Sequence, residues 1–194
     1  GTNSNYTGTG VNGYYIWGAQ LELQSYPTSY IKTTNAIATR LQDSASKTGL
    51  SSYINSEEGV LYAEISSLAN DGTNRFLTIN DGSVNNRIVL SFLSTNVINC
   101  RLKNGTDQCN LISNVDSLNL NKIAFKWKVN DFALWVNGVK NEVDTSGVTF
   151  NPNILNTISL DSGSNGANMF CNLKDLRVYT TALTDTELTD LTTL

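Results

Sequence analysis

The sequence predicts an all-β protein, an antiparallel β-sandwich with a short C-terminal helix. The first observation is the stretch NKIAFKWKVNDFALWVNG at 121–138, where apolar and polar residues alternate on both sides of Asn130-Asp131. Alternation with period two over this length is typical of two strands of a sheet with one buried face. With a two-residue turn, Val129 would pair with Phe132, and Trp127 with Leu134. Trp127 then belongs to the core face.

The second observation is the regular spacing of further strand-like segments. They recur roughly every 8–12 residues with turn residues between them, which is typical of a sandwich or jelly roll. Besides the central pair, the predicted strands lie near 59–65, 75–79, 87–93, 96–103, 108–113, 139–143, 155–160 and 172–179.

The third observation is a helix start near the C-terminus. Thr184 followed by Glu187 is a capping box, in which each residue can hydrogen-bond to the other's backbone amide. Leu183 and Leu188 occupy the two staple positions around it. The sequence predicts a helix over 185–191 that packs Leu188 and Leu191 onto the sandwich.

Composition excludes several classes of function. The 194 residues carry a net charge of −4 with no basic cluster, which argues against a nucleic-acid binder. No apolar run approaches the roughly 20 residues that cross a bilayer. The absence of histidine removes the commonest general base and transition-metal ligand. A hard cation held by oxygen atoms remains possible.

The odd cysteine count argues against a fully disulfide-linked secreted scaffold. Asn104-Gly105 is a strong signal for a two-residue hairpin turn, and that register places Cys100 directly opposite Cys109. The pair can then form a disulfide or remain as two free thiols on one sheet face.

The span 57–194 contains the phrases GVLYAEI at 59–65, FALWVNGVK at 132–140 and LKDLRVYTTALTDTELTDL at 173–191. In these phrases it resembles the laminin-G-like, concanavalin-A-like jelly-roll family. This fold hosts lectins, adhesion modules, glycosidases and plain spacers, so the resemblance implies a fold more strongly than a function.

A second resemblance covers residues 14–40, YYIWGAQLELQSYPTSYIKTTNAIATR. This phrase is similar to the last strand and exit of a carbohydrate-binding-like domain found in phage tail-fibre and other virion proteins. It implies that residues 1–35 are a remnant or exit strand of an upstream domain, 36–56 a linker and first strand region, and 57–194 the sandwich. It also implies a virion tail fibre or extracellular location and a homotrimer. The apolar run Tyr14, Tyr15, Ile16 and Trp17 is the candidate interface.

The candidate ligand site is the face opposite the core in the central hairpin. There the predicted register places Trp135 opposite Lys126 and near Lys128. Aromatic rings that stack on sugar rings are a usual part of carbohydrate sites. The alternatives for Trp135 are cover by another strand or subunit, or packing under a lysine stem.

The laminin-G resemblance also implies a rim-loop Ca²⁺, with Asp71, Asp81 and Asp161 as candidate ligands. Each of these aspartates precedes or lies in an ordinary turn sequence, and that reading is preferred. No other cofactor is expected.

Three functions follow as hypotheses. The first is non-enzymatic recognition of a cell-surface glycan or receptor, as in host attachment. The second is a structural trimerisation or spacer module. The third is a polysaccharide-cleaving enzyme, for which only Glu142 and Asp144 have alternate spacing on a strand.

Overall fold

The computed structural model describes residues 10–11, 13–23, 27–39 and 43–194. The chain divides into two compact units, 1–42 and 43–194. The boundary falls inside the segment predicted as linker. Most of residues 1–13 lies outside the described residues.

The second unit contains all the strands and the helix that the structure describes. They are β1 Ser46–Lys47, β2 Gly59–Ser67, β3 Arg75–Asn80, β4 Asn86–Ser94, β5 Val97–Asn104, β6 Thr106–Asn114, β7 Asn121–Trp127, β8 Phe132–Val136, β9 Val139–Asp144, β10 Thr157–Ser159, β11 Cys171–Tyr179 and α1 Asp185–Thr192.

The strands form two antiparallel sheets. One has six strands in the order β1-β10-β3-β4-β5-β6, and the other has five in the order β11-β2-β7-β8-β9. Their facing sides enclose one apolar core, in which the bulkiest fully buried side chains include Trp127, Phe125 and Phe132. The predicted all-β sandwich with a C-terminal helix is confirmed, and so is the core position of Trp127.

The first unit does not form the strand expected at 14–23. Its described residues there have no strand pairing, and Tyr14, Tyr15, Ile16 and Trp17 are all more than four-fifths exposed. The Trp17 ring contacts the Tyr30 ring edge-on, with centroids 5.8 Å apart. An apolar run favours a strand only when a partner strand is present to complete its hydrogen bonds.

The register of the central hairpin differs from the predicted one by two residues. Phe125 pairs with Leu134, which leaves a four-residue loop at 128–131. The loop is closed by the Asp131 amide donating to the Lys128 carbonyl at 2.9 Å, and Asn130 has a φ of 56°. A left-handed residue at this turn position is tolerated by asparagine. A shift of two preserves the alternation of faces, so Trp127 and Trp135 still point to opposite sides.

The register of the cysteine hairpin is corrected as well. Asn104 faces Thr106 around Gly105, and a β-bulge at Gln108 shifts the partners beyond it. Cys100 therefore lies opposite Leu111 and Cys109 opposite Leu102, and both are buried free thiols. Of the two alternatives left open by the sequence, the structure has the two free thiols, because the turn and the bulge together shift the register by two and remove the direct opposition that a disulfide required.

The C-terminal helix begins as predicted. The Thr184 hydroxyl accepts from the Glu187 amide, and the Glu187 carboxylate accepts from the Thr184 amide at 2.8 Å. Leu188 is fully buried against the five-stranded sheet, with Leu191 partly buried beside it. Within the described residues, no helix has the length and hydrophobicity that a membrane span requires.

Candidate functional site

Trp135 does not offer a surface to a ligand. Its side chain has no exposure, because α1 covers the outward face of β7 and β8. The Lys140 ammonium lies 4.9 Å from the ring centroid and that of Lys126 lies 5.9 Å from it. Trp135 is thus a packing residue beneath the helix and two lysine stems, and the interpretation as a stacking platform is corrected.

The two lysines named with Trp135 are both engaged in ion pairs. The Lys126 ammonium is 2.7 Å from the Asp131 carboxylate, and the Lys128 ammonium is 3.0 Å from that of Glu58. The hydrogen bond to Glu58 raises the pKa of Lys128. The hairpin therefore brings Lys126 to Trp135, whereas Lys128 is paired with Glu58, and the three residues do not form an open site.

The three calcium candidates hold their own loops in place. Asp71 accepts from the Arg75 guanidinium at 2.8 Å and from the Thr73 amide. The Asp161 carboxylate accepts from Ser159 and Gly163. These bonds are those of ordinary turns.

Asp81 behaves in the same way and has a shifted pKa. Its carboxylate accepts from the amide and hydroxyl of Ser83 and from the Asn86 amide group. Burial alone would raise the pKa of Asp81, but these hydrogen bonds outweigh it and lower the pKa. In the part of the chain that is described, no three His, Cys, Asp or Glu residues cluster as metal ligands would.

The structure brings together a different set of polar residues, on the outward side of the six-stranded sheet. In β3, β4 and β5 the core residues Leu77, Leu90 and Leu102 alternate with residues that point away from the core. We call this surface the outer cationic face. It comprises Phe76, Thr78, Asn80, Arg87, Val89, Ser91, Asn99, Arg101, Lys103, Asp107, Asn110 and Ile112.

The centre of the outer cationic face consists of small side chains. Thr78, Val89 and Ser91 have no exposure, and Asn99 is almost fully buried. The Asn99 amide group donates to the Asn110 side chain at 2.6 Å. The centre of this face is therefore small and closed to solvent.

Arg87 is the most buried cation of this face. It is 8% exposed, one of its terminal nitrogens donates to the Ser162 carbonyl, and its guanidinium lies 5.8 Å from the Phe76 ring centroid. Burial lowers the pKa of Arg87, and the positive charge of Arg101 lowers it further. Neighbouring like charges favour an anion beside them, and Asp107 acts on Arg87 in that sense.

Arg101 lies on the neighbouring strand, opposite Val89. Its only ion pair in the described chain is with Asp107, at 3.4 Å. The Nε–H groups of Arg87 and Arg101 are buried without a hydrogen-bond partner. Buried polar groups are normally satisfied, so these two donors have capacity for an acceptor, as do the unpaired Nε of Arg75 and the indole nitrogens of Trp127 and Trp135.

The arrangement suits a hydroxylated molecule that carries a carboxylate or a similar anion. Guanidinium groups bind such groups with paired hydrogen bonds. Asn110 provides an exposed amide group, and Phe76 provides an apolar edge. Three cations and one carboxylate occupy this face of a chain whose net charge is −4.

Sequence reasoning overlooked this site because its residues come from separate strands. A signal was present: Arg101 and Lys103 alternate with the apolar Leu102, and Arg87 precedes the apolar run of β4. Pairing β4 with β5 across the Thr95-Asn96 turn would have placed the three cations on one face.

The acids considered for catalysis have other roles. The Glu142 carboxylate accepts from the Ile112 amide on the edge of the other sheet. The Asp144 carboxylate accepts from the amide and hydroxyl of Ser146, at 2.9 and 2.8 Å. Both carboxylates thus stabilise backbone geometry.

No family model and no curated protein matched this chain. Among solved structures it is similar to the CBM40 domain of the Ruminococcus gnavus IT-sialidase bound to α2,3-sialyllactose. The TM-score is 0.62 at 17% identity, over 75% of this chain and 91% of that one. It is also similar to the Streptococcus pneumoniae NanB sialidase (TM-score 0.58, 14% identity), covering 75% of this chain and 26% of that one.

A third similar structure is the leech intramolecular trans-sialidase, with a TM-score of 0.57 and 18% identity over 71% of this chain and 23% of that one. At these identities the likeness concerns the fold. The chain has the β-sandwich jelly-roll fold of the carbohydrate-binding modules among these structures.

Proposed function

We propose that this chain is a non-enzymatic recognition domain that binds a cell-surface glycan through an anionic sugar. The site would be the outer cationic face. The observation that carries the proposal is the pair Arg87 and Arg101, two neighbouring guanidinium groups with buried, unpaired Nε–H donors.

The solved structures support a glycan as the class of ligand. Two of the similar CBM40 structures are described as bound to α2,3- and α2,6-sialyllactose, which carry a carboxylate on a hydroxylated ring. A ligand of that chemistry matches the cations and the neutral polar groups of the outer cationic face.

Each part of the face then has a role. Arg101, which is partly exposed, would take the anion with two parallel hydrogen bonds, and the more buried Arg87 would add its charge and its free Nε–H. Asn110, which is exposed, would bind a hydroxyl or amide group of the sugar.

The biological setting is a proposal based on the sequence resemblance. We place the domain in a virion tail fibre or an extracellular adhesin that attaches to a host receptor as a homotrimer. Several copies displayed together would strengthen a weak single site. The exposed side chains of Tyr14, Tyr15, Ile16 and Trp17 favour assembly through that segment. The molar mass from light scattering tests this, and a monomer at micromolar concentration would contradict it.

The binding proposal is tested by calorimetry with α2,3-sialyllactose and with lactose, which lacks the charged sugar. The wild-type chain should bind sialyllactose and not lactose. Arg101→Ala should weaken binding about tenfold or more, because a hydrogen bond to a charged group contributes about 1.5–3 kcal/mol. Arg87→Lys keeps the positive charge but removes the planar guanidinium donors, and an intermediate loss of affinity for sialyllactose is expected.

Lys128→Ala is the matched control, since Lys128 is an exposed cation in the loop between β7 and β8, beside the other sheet. Its affinity for sialyllactose should equal that of the wild type. Equal binding of lactose and sialyllactose, or unchanged binding by a folded Arg101→Ala variant, would contradict the proposal.

A further inference from the structure

Asp107 is the one carboxylate on the outer cationic face. We infer that it acts as an internal competitor, occupying Arg101 until an anionic ligand displaces it. The inference rests on the proposed function and identifies a residue that sets the affinity of that site.

A backbone irregularity places Asp107 on this face. Asp107 and Cys109 are two residues apart, so regular alternation would point both side chains to the core. The bulge at Gln108 interrupts the alternation, and Asp107 lies opposite Lys103 while Cys109 lies opposite Leu102 in the core. Bulges that re-aim a side chain are common beside functional sites.

The pairing between Asp107 and Arg101 is loose. The nearest carboxylate oxygen is 3.4 Å from the terminal guanidinium nitrogen, and Asp107 is about half exposed. Other ion pairs of the chain are closer, at 2.7 Å for Lys126 with Asp131 and 2.8 Å for Lys140 with Asp185. A ligand carboxylate can therefore take the place of Asp107 at little cost.

Displacement gives the site its preference for anions. A neutral sugar cannot replace a carboxylate on a guanidinium group, whereas an anion exchanges one charge-assisted bond for another. The bond to Asp107 must be lost first, so it reduces the affinity for every anion. Breaking an exposed ion pair of this kind weakens the binding constant of the ligand by a factor of roughly 1.5–5.

The test is Asp107→Asn, titrated with α2,3-sialyllactose in low-salt buffer. The variant should bind roughly two- to fivefold more tightly than the wild type, and the gain should shrink at high salt as screening increases. Asp131→Asn is the matched control, because it makes the same charge change at a similarly exposed, ion-paired carboxylate beside the other sheet. Its affinity should not change.

Weaker binding by Asp107→Asn would overturn the inference, because Asp107 would then hold Arg101 in its binding orientation. A gain no larger than that of Asp131→Asn would overturn it too, since only net charge would matter.

A second readout separates this inference from the proposed function. Sulfate is titrated while the Arg101 Nε–H resonance is followed by NMR, in the wild type and in Asp107→Asn. Tighter sulfate binding by the variant supports the competitor role even if sialyllactose does not bind, in which case the glycan proposal alone fails. Equal or weaker sulfate binding by the variant refutes the competitor role.

Discussion

Trp135 illustrates what one residue in an alternating pattern can and cannot reveal. The pattern correctly predicts that Trp135 and Trp127 point to opposite faces of the sheet. It cannot predict what covers the second face, because that cover is α1, which lies far along the chain. Trp135, which the sequence suggested as a stacking surface for a ligand, is a buried residue that packs against the helix.

We expect Trp135→Ala to destabilise the protein rather than remove a contact with the ligand. Loss of a fully buried aromatic side chain should lower the free energy of unfolding by about 3–5 kcal/mol. Urea unfolding measures this. The matched control is Trp17→Ala, at a side chain that is 83% exposed, where the change should stay within about 0.5 kcal/mol. Equal stability of the two variants would contradict the burial of Trp135.

The hairpins show how element-scale prediction fails. Their existence and faces are predictable from alternation, but their registers depend on loop length. The four-residue loop at 128–131 preserves the faces because it shifts the register by two. In the cysteine hairpin the turn at Gly105 shifts the register by one, which reverses the face of Asp107, and the bulge at Gln108 shifts it by one more, so that Cys109 faces Leu102 and not Cys100. The length of the turn and the bulge together decide whether the two cysteines can meet.

The same reasoning explains why the candidate site was not predictable. Arg87, Arg101 and Asp107 lie on three strands, and their meeting requires both the strand order and the bulge. The turn sequences that suggested calcium are informative only about local structure, since the carboxylates of Asp81 and Asp161 accept hydrogen bonds from backbone amides of their own loops.

At the start of α1, Thr184→Ala should lower the free energy of unfolding by about 0.5–2 kcal/mol, the usual effect of removing a capping hydroxyl. The measurement is urea unfolding at neutral pH. Thr186→Ala is the matched control, as Thr186 is exposed in the same helical turn and should change stability little. A larger loss in Thr186→Ala than in Thr184→Ala would contradict the cap.

The capping box also gives this helix a dependence on pH. The pKa of Glu187 is lowered from its ordinary value of 4.5, chiefly by the backbone amide of Thr184 and then by its hydroxyl. A lowered pKa in the folded state means that the stabilisation is complete above pH 4.5 and is lost as the pH falls below it. The difference in stability between the wild type and Glu187→Gln should therefore shrink under acidic conditions.

At the scale of the whole molecule, the two sheets use their outward faces differently. The five-stranded sheet buries Trp135 and Tyr62 beneath α1 and balances its lysines with carboxylates. The outer cationic face of the six-stranded sheet carries three cations and one weakly paired aspartate. Since one sandwich fold supports many functions, this asymmetry rather than the fold indicates where a ligand binds.

The most direct test of the account is a map of backbone amide shifts by NMR as α2,3-sialyllactose is added to the full chain. We predict that the shifts cluster in residues 87–91, 99–103 and 107–112, on the outer cationic face. Lactose at the same concentration should leave these residues unchanged. Shifts confined to the five-stranded sheet or to residues 13–23, or no shifts at all, would contradict the assignment of this face as the binding site.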